Sequence, residues 1–590
     1  MYLRAMYSRA RAVQLLVTLV GVAACRSASV PITATPPKPH DGPDTAADVT
    51  RLADTYVSEF VARFPERAEG TGLATRHDRL SDNSLSALDE WHAREDELAQ
   101  REEAIDAHAP LGRPEWITLG FLREALTASR GARVCRRELW PATHYFGWLD
   151  GFADLAASQP VGSEQARRDA LSRFSMVARY LDTEVVNMRE GVRLGFTTPR
   201  ASVDRLTAQL DALLAKPVTT WPLFSPATRD GDTSFGRAFA ELLDTQVAPA
   251  VRRYRDYLKD EYRARAREDL ALSALPNGAA CYRALYRLNT SLDRSPEEVV
   301  QIGERAVAQN TEAALAIGRV RLGAADLHSL VDKLEHAPHF ASADEKLAFA
   351  RATVDRAREA APRAFLALPQ ADVHIEPYPA EIAAGMLDSY RGPTEGRSYG
   401  VYRINLLSFA RDTPAGAEKV AFHETIPGHH LQNALASALP DGHPITKLVK
   451  VTAFMEGWAR YAEGLAEELG LYTSDEARVS RRLWPARGMV VDPGLLLFGW
   501  SRERAAAYIT EGGWPAATAE SMVDRIGVRP AQLTAYDSGG LEIMALREEA
   551  ERQLGPRFDL KRFHQAVLQH GAVTLPMLRE LVEEWIQQER

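Results

Sequence analysis

The 590-residue sequence contains little cysteine and no concentration of positive charge. Its three cysteines, Cys25, Cys135 and Cys281, lie far apart, whereas the ligands of a cysteine zinc site come in closely spaced pairs, so that kind of site is excluded. The net charge is −9 and no basic segment is interleaved with aromatic residues, which argues against nucleic acid as a partner. No internal repeat of roughly 20 to 50 residues is present, so the chain is not a solenoid.

Several common catalytic motifs are also absent. The sequence has no G-x-S-x-G nucleophile elbow, no Walker loop and no dinucleotide-binding fingerprint. Ser81-Asp82-Asn83 matches one signature of penicillin-binding proteins, but the S-x-x-K and K-T-G elements that accompany that signature are missing. We interpret this segment as a turn and helix cap.

No apolar run is long enough to span a bilayer comfortably. The longest precedes Cys25 at residues 12–20, follows several arginines and is typical of a signal peptide, which we predict over residues 1–25. Val22-Ala23-Ala24-Cys25 resembles a bacterial lipobox, which predicts lipidation of Cys25; the alternative is an ordinary secretory signal with an incidental cysteine. Residues 26–46 are rich in proline and predict an extended tether. We expect a lipid-anchored protein of the bacterial cell envelope, on the outer membrane and facing the periplasm.

Most of the mature chain has the apolar periodicity and the capping residues of α-helices. Its composition, 45% hydrophobic and 26% charged, is that of a soluble protein with a large core. Ser295-Pro296-Glu297-Glu298 combines an N-cap serine, a proline at the first helical position and a capping-box glutamate. Strands are predicted only at 373–376 and 399–407. We predict a mainly α fold with an N-terminal helical half, residues 47–280, and a catalytic half, residues 281–590.

The two remaining cysteines lie in different predicted halves. In an oxidising compartment Cys135 and Cys281 either form a disulfide or remain as two buried thiols, and the sequence leaves both possibilities open.

The most informative segment is a stretched form of the zinc-hydrolase motif, Ala421-Phe-His-Glu-Thr-Ile-Pro-Gly-His-His-Leu431. In H-E-x-x-H, two histidines four residues apart bind Zn²⁺ and the glutamate is the general base. In this chain Pro427 occupies the fourth position, and His429 and His430 follow His423 by six and seven residues, a spacing that a regular helix does not bring to one metal ion. Proline and glycine can deform a helix, so we predict a local bulge at 426–428 that brings His429 to the second ligand position.

A third ligand is predicted on the following helix. Glu456 lies in Phe454-Met-Glu-Gly-Trp-Ala-Arg-Tyr-Ala-Glu463, which is apolar around most of its circumference. A solvated face with a Glu456/Arg460 pair would also explain this helix alone. Beside the histidine motif, however, Glu456 is the carboxylate that a site with two histidines and one acidic ligand requires. Glu463 is the alternative ligand or a partner that orients a histidine.

These two segments together resemble the bacterial family catalogued as domain of unknown function 885. That family is grouped with the gluzincin metallopeptidases, relatives of thermostable carboxypeptidases and thimet-type oligopeptidases, and the similarity covers nearly the whole mature chain. The resemblance implies a two-lobed helical fold with short strands lining a cleft. It further implies one Zn²⁺ per chain held by His423, His429 and Glu456, with His429 favoured over His430, and Glu424 as general base. Tyr536 would donate a hydrogen bond to the developing oxyanion, although a core tyrosine is the alternative.

The chain departs from the family pattern at three positions. Leu496 stands where a histidine is common, Gly488 where an arginine is common, and Asp537 where a lysine often follows the tyrosine. These differences spare the predicted metal ligands but affect how a substrate would be anchored.

We therefore expect a zinc-dependent peptidase that hydrolyses short peptides with metal-activated water and Glu424 as general base. Two alternatives are a metal-containing binding lipoprotein with weak or no activity, and a zinc hydrolase that acts on an ester or a non-peptide amide.

Overall fold

Apolar periodicity and helix-capping residues translate into helices along most of the chain, and 71% of the structure is helical, which confirms the mainly α prediction. The structure is a computed structural model that describes residues 45–69, 71–105, 112–379, 383, 386–393 and 397–590. The predicted signal peptide, Cys25 and nearly all of the predicted tether lie outside these residues. Asp44–Arg590 form one compact unit.

The α-helices of the described residues range from 4 to 22 residues in length. In chain order they are α1 (Thr45–Arg63), α2 (Pro65–Ala68), α3 (Leu85–Glu103), α4 (Pro114–Ala132), α5 (Trp148–Ser158), α6 (Glu164–Ser175), α7 (Val177–Leu194), α8 (Arg200–Leu214), α9 (Ser225–Asp230), α10 (Thr233–Leu242), α11 (Ala248–Tyr257), α12 (Gly278–Thr290), α13 (Pro296–Ile317), α14 (Leu327–Glu335), α15 (Ala343–Ala360), α16 (Pro414–Glu424), α17 (His429–Ser437), α18 (Ile445–Leu448), α19 (Thr452–Glu468), α20 (Asp475–Leu483), α21 (Arg487–Leu496), α22 (Arg502–Thr510), α23 (Ala516–Val528), α24 (Thr534–Leu554), α25 (Leu560–Leu568) and α26 (Leu575–Glu589).

Helix starts follow the predicted capping chemistry. Ser295 caps α13, and its side chain and that of Glu298 form a reciprocal capping box. Asp82 accepts a hydrogen bond from the backbone N–H of Ser84, the N-cap of α3, at 2.9 Å, so Ser81-Asp82-Asn83 is the turn that precedes a helix. π-helical turns continue α10, α11 and α13 at Leu243–Val247, Leu258–Tyr262 and Gly318–Leu322.

Three short strands form a mixed sheet just before the histidine motif. β1 (Val373–Pro377) runs parallel to β3 (Gly400–Ile404), and β2 (Ser389–Arg391) pairs antiparallel with β3 in the order β1-β3-β2. The sequence predicted β1 and β3. It missed β2, which has three residues and no buried side chain, too little for an alternating pattern.

The core near the proposed catalytic residues draws on both predicted halves. One buried cluster joins Leu139, Trp140 and Phe196 to Tyr282 and Met489. Cys135 and Cys281 belong to the same cluster and form a disulfide, so the structure selects one of the two alternatives that the sequence left open. Among the described residues, no helix combines the length and the apolar composition needed to cross a membrane.

Candidate metal centre

The stretched histidine motif is divided between two helices. α16 ends at Glu424 and α17 begins at His429, with Thr425 and Gly428 in non-helical conformations between them. The predicted bulge within one continuous helix is therefore wrong, although the predicted site of deformation, 426–428, is the segment that leaves the helix. The physical reason is that Pro427 cannot continue the hydrogen-bond ladder of α16.

Close backbone contact and one tryptophan hold this break in place. A Cβ atom on Gly428 would lie 2.0 Å from the carbonyl oxygen of His423, a distance that no side chain tolerates. The indole N–H of Trp458, on α19, donates to the carbonyl oxygen of Pro427 at 2.9 Å. α19 therefore fixes the point at which the chain turns between His423 and His429.

The same helix, α19, carries Glu456, and glycines allow α19 to pack closely against α24. α19 crosses α24 where Gly457 faces Gly539 and Gly540: a Cβ on Gly457 would lie 2.4 Å from the backbone carbonyl carbon of Gly539. A Cβ on Gly539 would lie 1.8 Å from the carbonyl oxygen of Ala453. The two helix backbones thus touch immediately beside Glu456, which positions its carboxylate under the two histidines.

His423, His429 and Glu456 converge, as the sequence predicted for a metal site. Glu456 Oε2 lies 3.6 Å from His423 Nε2 and 3.4 Å from His429 Nε2. The two imidazole rings are nearly perpendicular, at 89°, with centroids 4.8 Å apart. The potential ligand atoms of all three residues lie within 4.8 Å of one another.

Glu463 orients the first histidine. Its Oε1 lies 2.9 Å from His423 Nδ1, so a proton on Nδ1 is donated to the carboxylate and Nε2 is the ring nitrogen that faces Glu456. Arg460 holds Glu463 in turn, with Nη1 2.7 Å from Oε1, and its Nε lies 3.0 Å from Asp537 Oδ1. Arg460 therefore pairs with Glu463 and Asp537 rather than with Glu456.

His430 makes its hydrogen-bond contacts outside the cluster. Its Nδ1 lies 3.0 Å from the Tyr390 hydroxyl and its Nε2 lies 3.1 Å from the carbonyl oxygen of Ala371. Both ring nitrogens thus have partners outside the cluster. Of the two candidate histidines, the structure points His429 at Glu456.

The charges around the cluster favour a cation. Burial opposes protonation of His423, but Glu456 and Glu463 outweigh it and raise the pKa of this ring to about 10. Burial would raise the pKa of Glu456, yet interaction with His423 and His429 holds it well below its usual range. The pKa of Glu463 is lowered to about 2, because Arg460 and His423 overcome its burial. Two carboxylates therefore remain ionised around the point where the imidazoles meet.

The residues present fit a zinc ion. Two imidazole nitrogens and one carboxylate oxygen are the donor set of a common class of catalytic zinc sites. Glu456 Oε2 lies 3.6 and 3.4 Å from the two Nε2 atoms, longer than a usual hydrogen bond, whereas His423 Nδ1 is engaged by Glu463 at 2.9 Å. When a cation displaces the second ring proton of His423, its Nε2, His429 Nε2 and Glu456 Oε2 would be three electron-pair donors that face the same point.

Glu424 lies beside this cluster as the last residue of α16. Burial raises the pKa of its carboxyl, and the neighbouring His423 and His429 offset this only in part. Among the described residues, its side chain makes no hydrogen bond. A carboxylate whose pKa is raised and which has no protein partner is suited to accept a proton from water.

Tyr536 is placed next to the cluster by α24. Its ring centroid lies 6.3 Å from that of His423, and the guanidinium carbon of Arg460 lies 6.0 Å from the centre of the Tyr536 ring. Burial, together with the charge of Glu456, raises the pKa of its hydroxyl. The phenol therefore keeps its proton at neutral pH and can donate a hydrogen bond.

The three positions that depart from the family pattern are buried or closely packed in the structure. Leu496 is completely buried in the core cluster that contains the disulfide. A Cβ on Gly488 would lie 2.7 Å from the carbonyl oxygen of Leu533, so glycine is required by close packing. Asp537 is buried and paired with Arg460.

Sequence reasoning missed two arginines near Tyr536. Arg525 lies in the last turn of α23, and Arg529 is the first residue after that helix. Arg525 donates to the side-chain oxygen of Gln532. These residues belong to no short motif, and they are remote in sequence from the histidines, so only the tertiary structure associates them with the cluster.

Comparisons with known proteins identify a family and a fold. Residues 65–582 match the family described as "Bacterial protein of unknown function (DUF885)". A "putative lipoprotein" from Colwellia psychrerythraea has a similar structure, with a TM-score of 0.82 and 21% identity over 92% of this chain and 99% of that one. A "putative lipoprotein of unknown function" from Shewanella oneidensis has a TM-score of 0.69 and 17% identity over 91% and 99%. No curated protein sequence matches the chain.

Proposed function

The chain belongs to the DUF885 family of bacterial proteins of unknown function, and we propose that this member is a zinc-dependent peptidase that hydrolyses short peptides. The observation that carries the proposal is the convergence of His423 Nε2, His429 Nε2 and Glu456 Oε2 beside the Glu424 carboxylate, which has no hydrogen-bond partner among the described residues. A binding protein needs the first three groups but has no use for the fourth.

His423, His429 and Glu456 would hold one Zn²⁺ per chain, with Glu463 maintaining the required tautomer of His423. When bound, the ion would polarise the scissile carbonyl and acidify a coordinated water.

The chain's own residues would move the proton. The Glu424 carboxylate accepts a proton from the attacking water as the water oxygen bonds to the scissile carbonyl carbon. The same carboxyl then transfers this proton to the leaving nitrogen as the C–N bond breaks, which yields a carboxylic acid and an amine. The raised pKa of Glu424 supports both steps, because it brings proton uptake and release closer to neutral pH.

Tyr536 would assist by donating its hydroxyl hydrogen to the carbonyl oxygen as negative charge develops there. Its position beside His423 and its raised pKa support this role.

The proposal includes a gluzincin-like, two-lobed fold with the cluster between the lobes, and anchorage of the mature chain through lipid on Cys25 in the outer membrane, facing the periplasm. The lipobox-like sequence ending at Cys25 supports anchorage, as do the descriptions of the two structurally similar proteins as lipoproteins. A cleft between helical lobes admits short peptides more easily than folded proteins.

The test combines metal analysis with a peptide-library screen on the purified chain. We expect about one zinc per chain, peptide cleavage, and a loss of about 10²- to 10⁴-fold in kcat for Glu424→Gln with its zinc retained. Glu468→Gln removes a half-exposed carboxylate from the same helix as Glu456 and is the matched control, with activity unchanged.

Three outcomes would contradict the proposal. Absence of bound zinc would remove its basis. Zinc without cleavage that depends on Glu424 would indicate a binding lipoprotein, and turnover of esters without peptides would indicate a different zinc hydrolase.

A further inference from the structure

Two neighbouring arginines near the metal centre have no acidic partner in the described part of the chain. The backbone N–H of Arg529 donates to the carbonyl oxygen of Arg525 at 2.8 Å, which places the two side chains one helical turn apart. Arg525 donates to the neutral amide of Gln532, and the guanidinium of Arg529 lies 4.3 Å from the centre of the Phe146 ring. Neither guanidinium lies within salt-bridge distance of a described carboxylate.

Two other arginines on nearby helices, Arg502 and Arg460, are paired with carboxylates. Arg502 contacts Asp524 at 2.7 Å, and Arg460 contacts Glu463 at the same distance. Asp524 is the residue that precedes Arg525, yet it pairs with Arg502 and with Arg205. An acidic group is therefore close in sequence but is directed elsewhere, which leaves Arg525 and Arg529 as two neighbouring positive charges without a salt bridge to any described carboxylate.

This arrangement costs free energy in the absence of an anion. Two like charges one turn apart on a helix repel each other, and burying them removes part of their hydration. Burial lowers the pKa of Arg529, and the charge of Arg525 lowers it further. Arg525 Nε is buried without any hydrogen-bond acceptor in the described structure. An anion in contact with both guanidinium groups would offset their mutual repulsion and could supply an acceptor for Arg525 Nε.

The pair lies on the Tyr536 side of the metal centre. Burial opposes the positive charge on Arg525, but the Tyr536 hydroxyl and the charge of Glu456 act against burial, and the pKa of Arg525 is raised. Tyr536 in turn has its ring 6.3 Å from that of His423. The arginines are thus within the electrostatic range of Glu456 and adjacent to the tyrosine that faces the cluster.

Exposed aromatic side chains stand beside the same arginines. Tyr145 and Phe146 are 37% and 61% exposed, and their rings meet edge to face with centroids 4.4 Å apart. Phe146 has φ = 55°, a left-handed conformation that is costly for a residue with a side chain and is found preferentially at functional sites. Together they provide an apolar surface next to the cationic pair, as a binding site for a peptide residue would require.

We propose that Arg525 and Arg529 bind a carboxylate of the peptide substrate and thereby position the scissile bond over the metal centre. This inference rests on the proposed peptidase function. The guanidinium group of an arginine has two parallel N–H donors that match the two oxygens of a carboxylate. Two arginines together can therefore donate up to four hydrogen bonds to it. The carboxylate is either the free C-terminus of the peptide or an acidic side chain, and substrates that carry only one of these groups separate the two sources.

The first experiment compares substrates with the wild-type protein. N-acetylated tetrapeptides of one sequence are supplied as the free C-terminal acid or as the amide, and the amide is also made with a glutamate in place of a glutamine. We expect one of the carboxylate-bearing peptides to have a KM about 10- to 100-fold lower than the neutral amide, as expected for a buried charge-assisted interaction. The free acid identifies the C-terminus, and the glutamate peptide identifies a side chain.

The second experiment changes the arginines. Arg529→Gln is expected to raise KM for the preferred peptide by about tenfold or more, to change kcat much less, and to leave KM for the neutral amide unchanged. Arg529→Lys keeps the positive charge but loses the paired N–H donors of the guanidinium group. It should restore part of the preference for the carboxylate-bearing peptide. Arg253→Gln removes an exposed arginine that pairs with Asp182 and is the matched control, with KM unchanged. Arg525→Gln tests the other member of the pair, and thermal melting verifies that each variant is folded.

The results separate this inference from the function on which it rests. Equal KM values for all three peptides in the wild-type protein would overturn the arginine proposal and leave a peptidase. Substrate preference that survives both Arg525→Gln and Arg529→Gln in folded protein would also overturn it. Failure to cleave any of the three peptides, in a protein that also cleaves nothing in the library screen, would instead overturn the proposed peptidase function.

Discussion

At the scale of single residues, the candidate metal centre depends on groups that would not themselves touch the ion. His423 presents Nε2 to the cluster because Glu463 accepts a hydrogen bond from Nδ1, and Arg460 and Asp537 complete a buried chain of alternating charge behind it. Asp537 is a departure from the family pattern, yet in this structure it supports the orientation of the first histidine. The zinc affinity should therefore be sensitive to residues along this chain.

Glu463→Gln tests that dependence. The amide is nearly the same size but carries no charge, so His423 is held less firmly and its Nε2 becomes a poorer donor. We expect zinc affinity to fall by about tenfold, at the lower end of the range for such changes, as measured by competition with a chelator. Glu468→Gln is again the control. Equal affinity in Glu463→Gln and wild type would show that the Glu463–His423 contact does not support metal binding.

Asp492 gives a prediction for the pH dependence of stability. It is fully buried; its Oδ1 accepts hydrogen bonds from Tyr282 and from the backbone N–H of Ala531, at 2.8 and 2.9 Å, and its Oδ2 has no partner in the described structure. Burial raises the pKa of its carboxyl from 3.8 to about 7. Between these values the folded state retains a proton that the unfolded state has lost, so the free energy of unfolding falls as pH rises from about 4 to about 7.

Asp492→Asn removes this ionisation while keeping an oxygen acceptor. Chemical denaturation of both proteins at about pH 5 and pH 7 should show that the variant gains stability relative to wild type by roughly 1 to 3 kcal/mol between the two pH values. A stability difference that does not change with pH would mean that the Asp492 carboxyl ionises normally in the folded protein.

At the scale of secondary-structure elements, two backbone contacts set the geometry of the centre. Gly428 packs against the end of α16, and Gly539 packs against α19 at the residue next to Glu456. The sequence predicted a distortion at 426–428 from Pro427 and Gly428 but not its form. The hydrogen bond from Trp458, on another helix, to the Pro427 carbonyl is a tertiary contact that the local sequence does not show.

Gly539→Ala tests the helix crossing. A Cβ at this position would lie 1.8 Å from the Ala453 carbonyl oxygen, so α19 and α24 must separate. We expect the free energy of unfolding to fall by about 1 to 3 kcal/mol or more, and zinc content to fall because Glu456 moves with α19. Denaturation and metal analysis measure both effects.

Gly464→Ala is the matched control on α19. A Cβ there would meet only the end of the flexible Arg481 side chain, at 3.8 Å, so the substitution should stabilise the helix by up to about 1 kcal/mol and leave zinc content unchanged. If Gly539→Ala behaved like Gly464→Ala, the close crossing would not be needed to place Glu456.

The sequence predicted elements better than their assembly, for a physical reason. The capping box at Ser295 and Glu298 and the strands β1 and β3 follow from local chemistry, and the helix that carries Glu456 follows from its apolar periodicity. By contrast, β2 and the Arg525/Arg529 pair have no local signal. Their positions depend on contacts with residues remote in sequence.

At the scale of the whole molecule, both predicted halves of the chain contribute to the surroundings of the centre. Tyr145 and Phe146 come from the N-terminal half and stand beside Arg529 of the catalytic half, although several hundred residues separate them in sequence. The histidine motif in residues 421–431 predicted a candidate metal centre from local sequence. Tyr145 and Phe146 lie between helices, and the local sequence around them does not show which part of the catalytic half they contact.

The Cys135–Cys281 disulfide links the same two halves and gives a prediction for global stability. The bond joins residues 146 positions apart and lies within the buried cluster that contains Leu139, Trp140 and Leu496. A cross-link over so long a segment restricts the unfolded chain strongly, and loss of a native disulfide typically costs about 2 to 5 kcal/mol. Both cysteines are buried, so alanine is a better replacement than serine, whose hydroxyl would need a partner.

We expect the Cys135→Ala/Cys281→Ala protein to unfold at lower denaturant concentration than oxidised wild type, with a free energy of unfolding lower by about 2 to 5 kcal/mol. Fully reduced wild type should approach the double variant, and reductant should have no effect on the variant itself. Zinc content should persist in all three, because the candidate metal centre in residues 421–463 packs around α19 and α24 without either cysteine. If reductant left the free energy of unfolding of the wild-type protein unchanged, the result would show that the disulfide does not form.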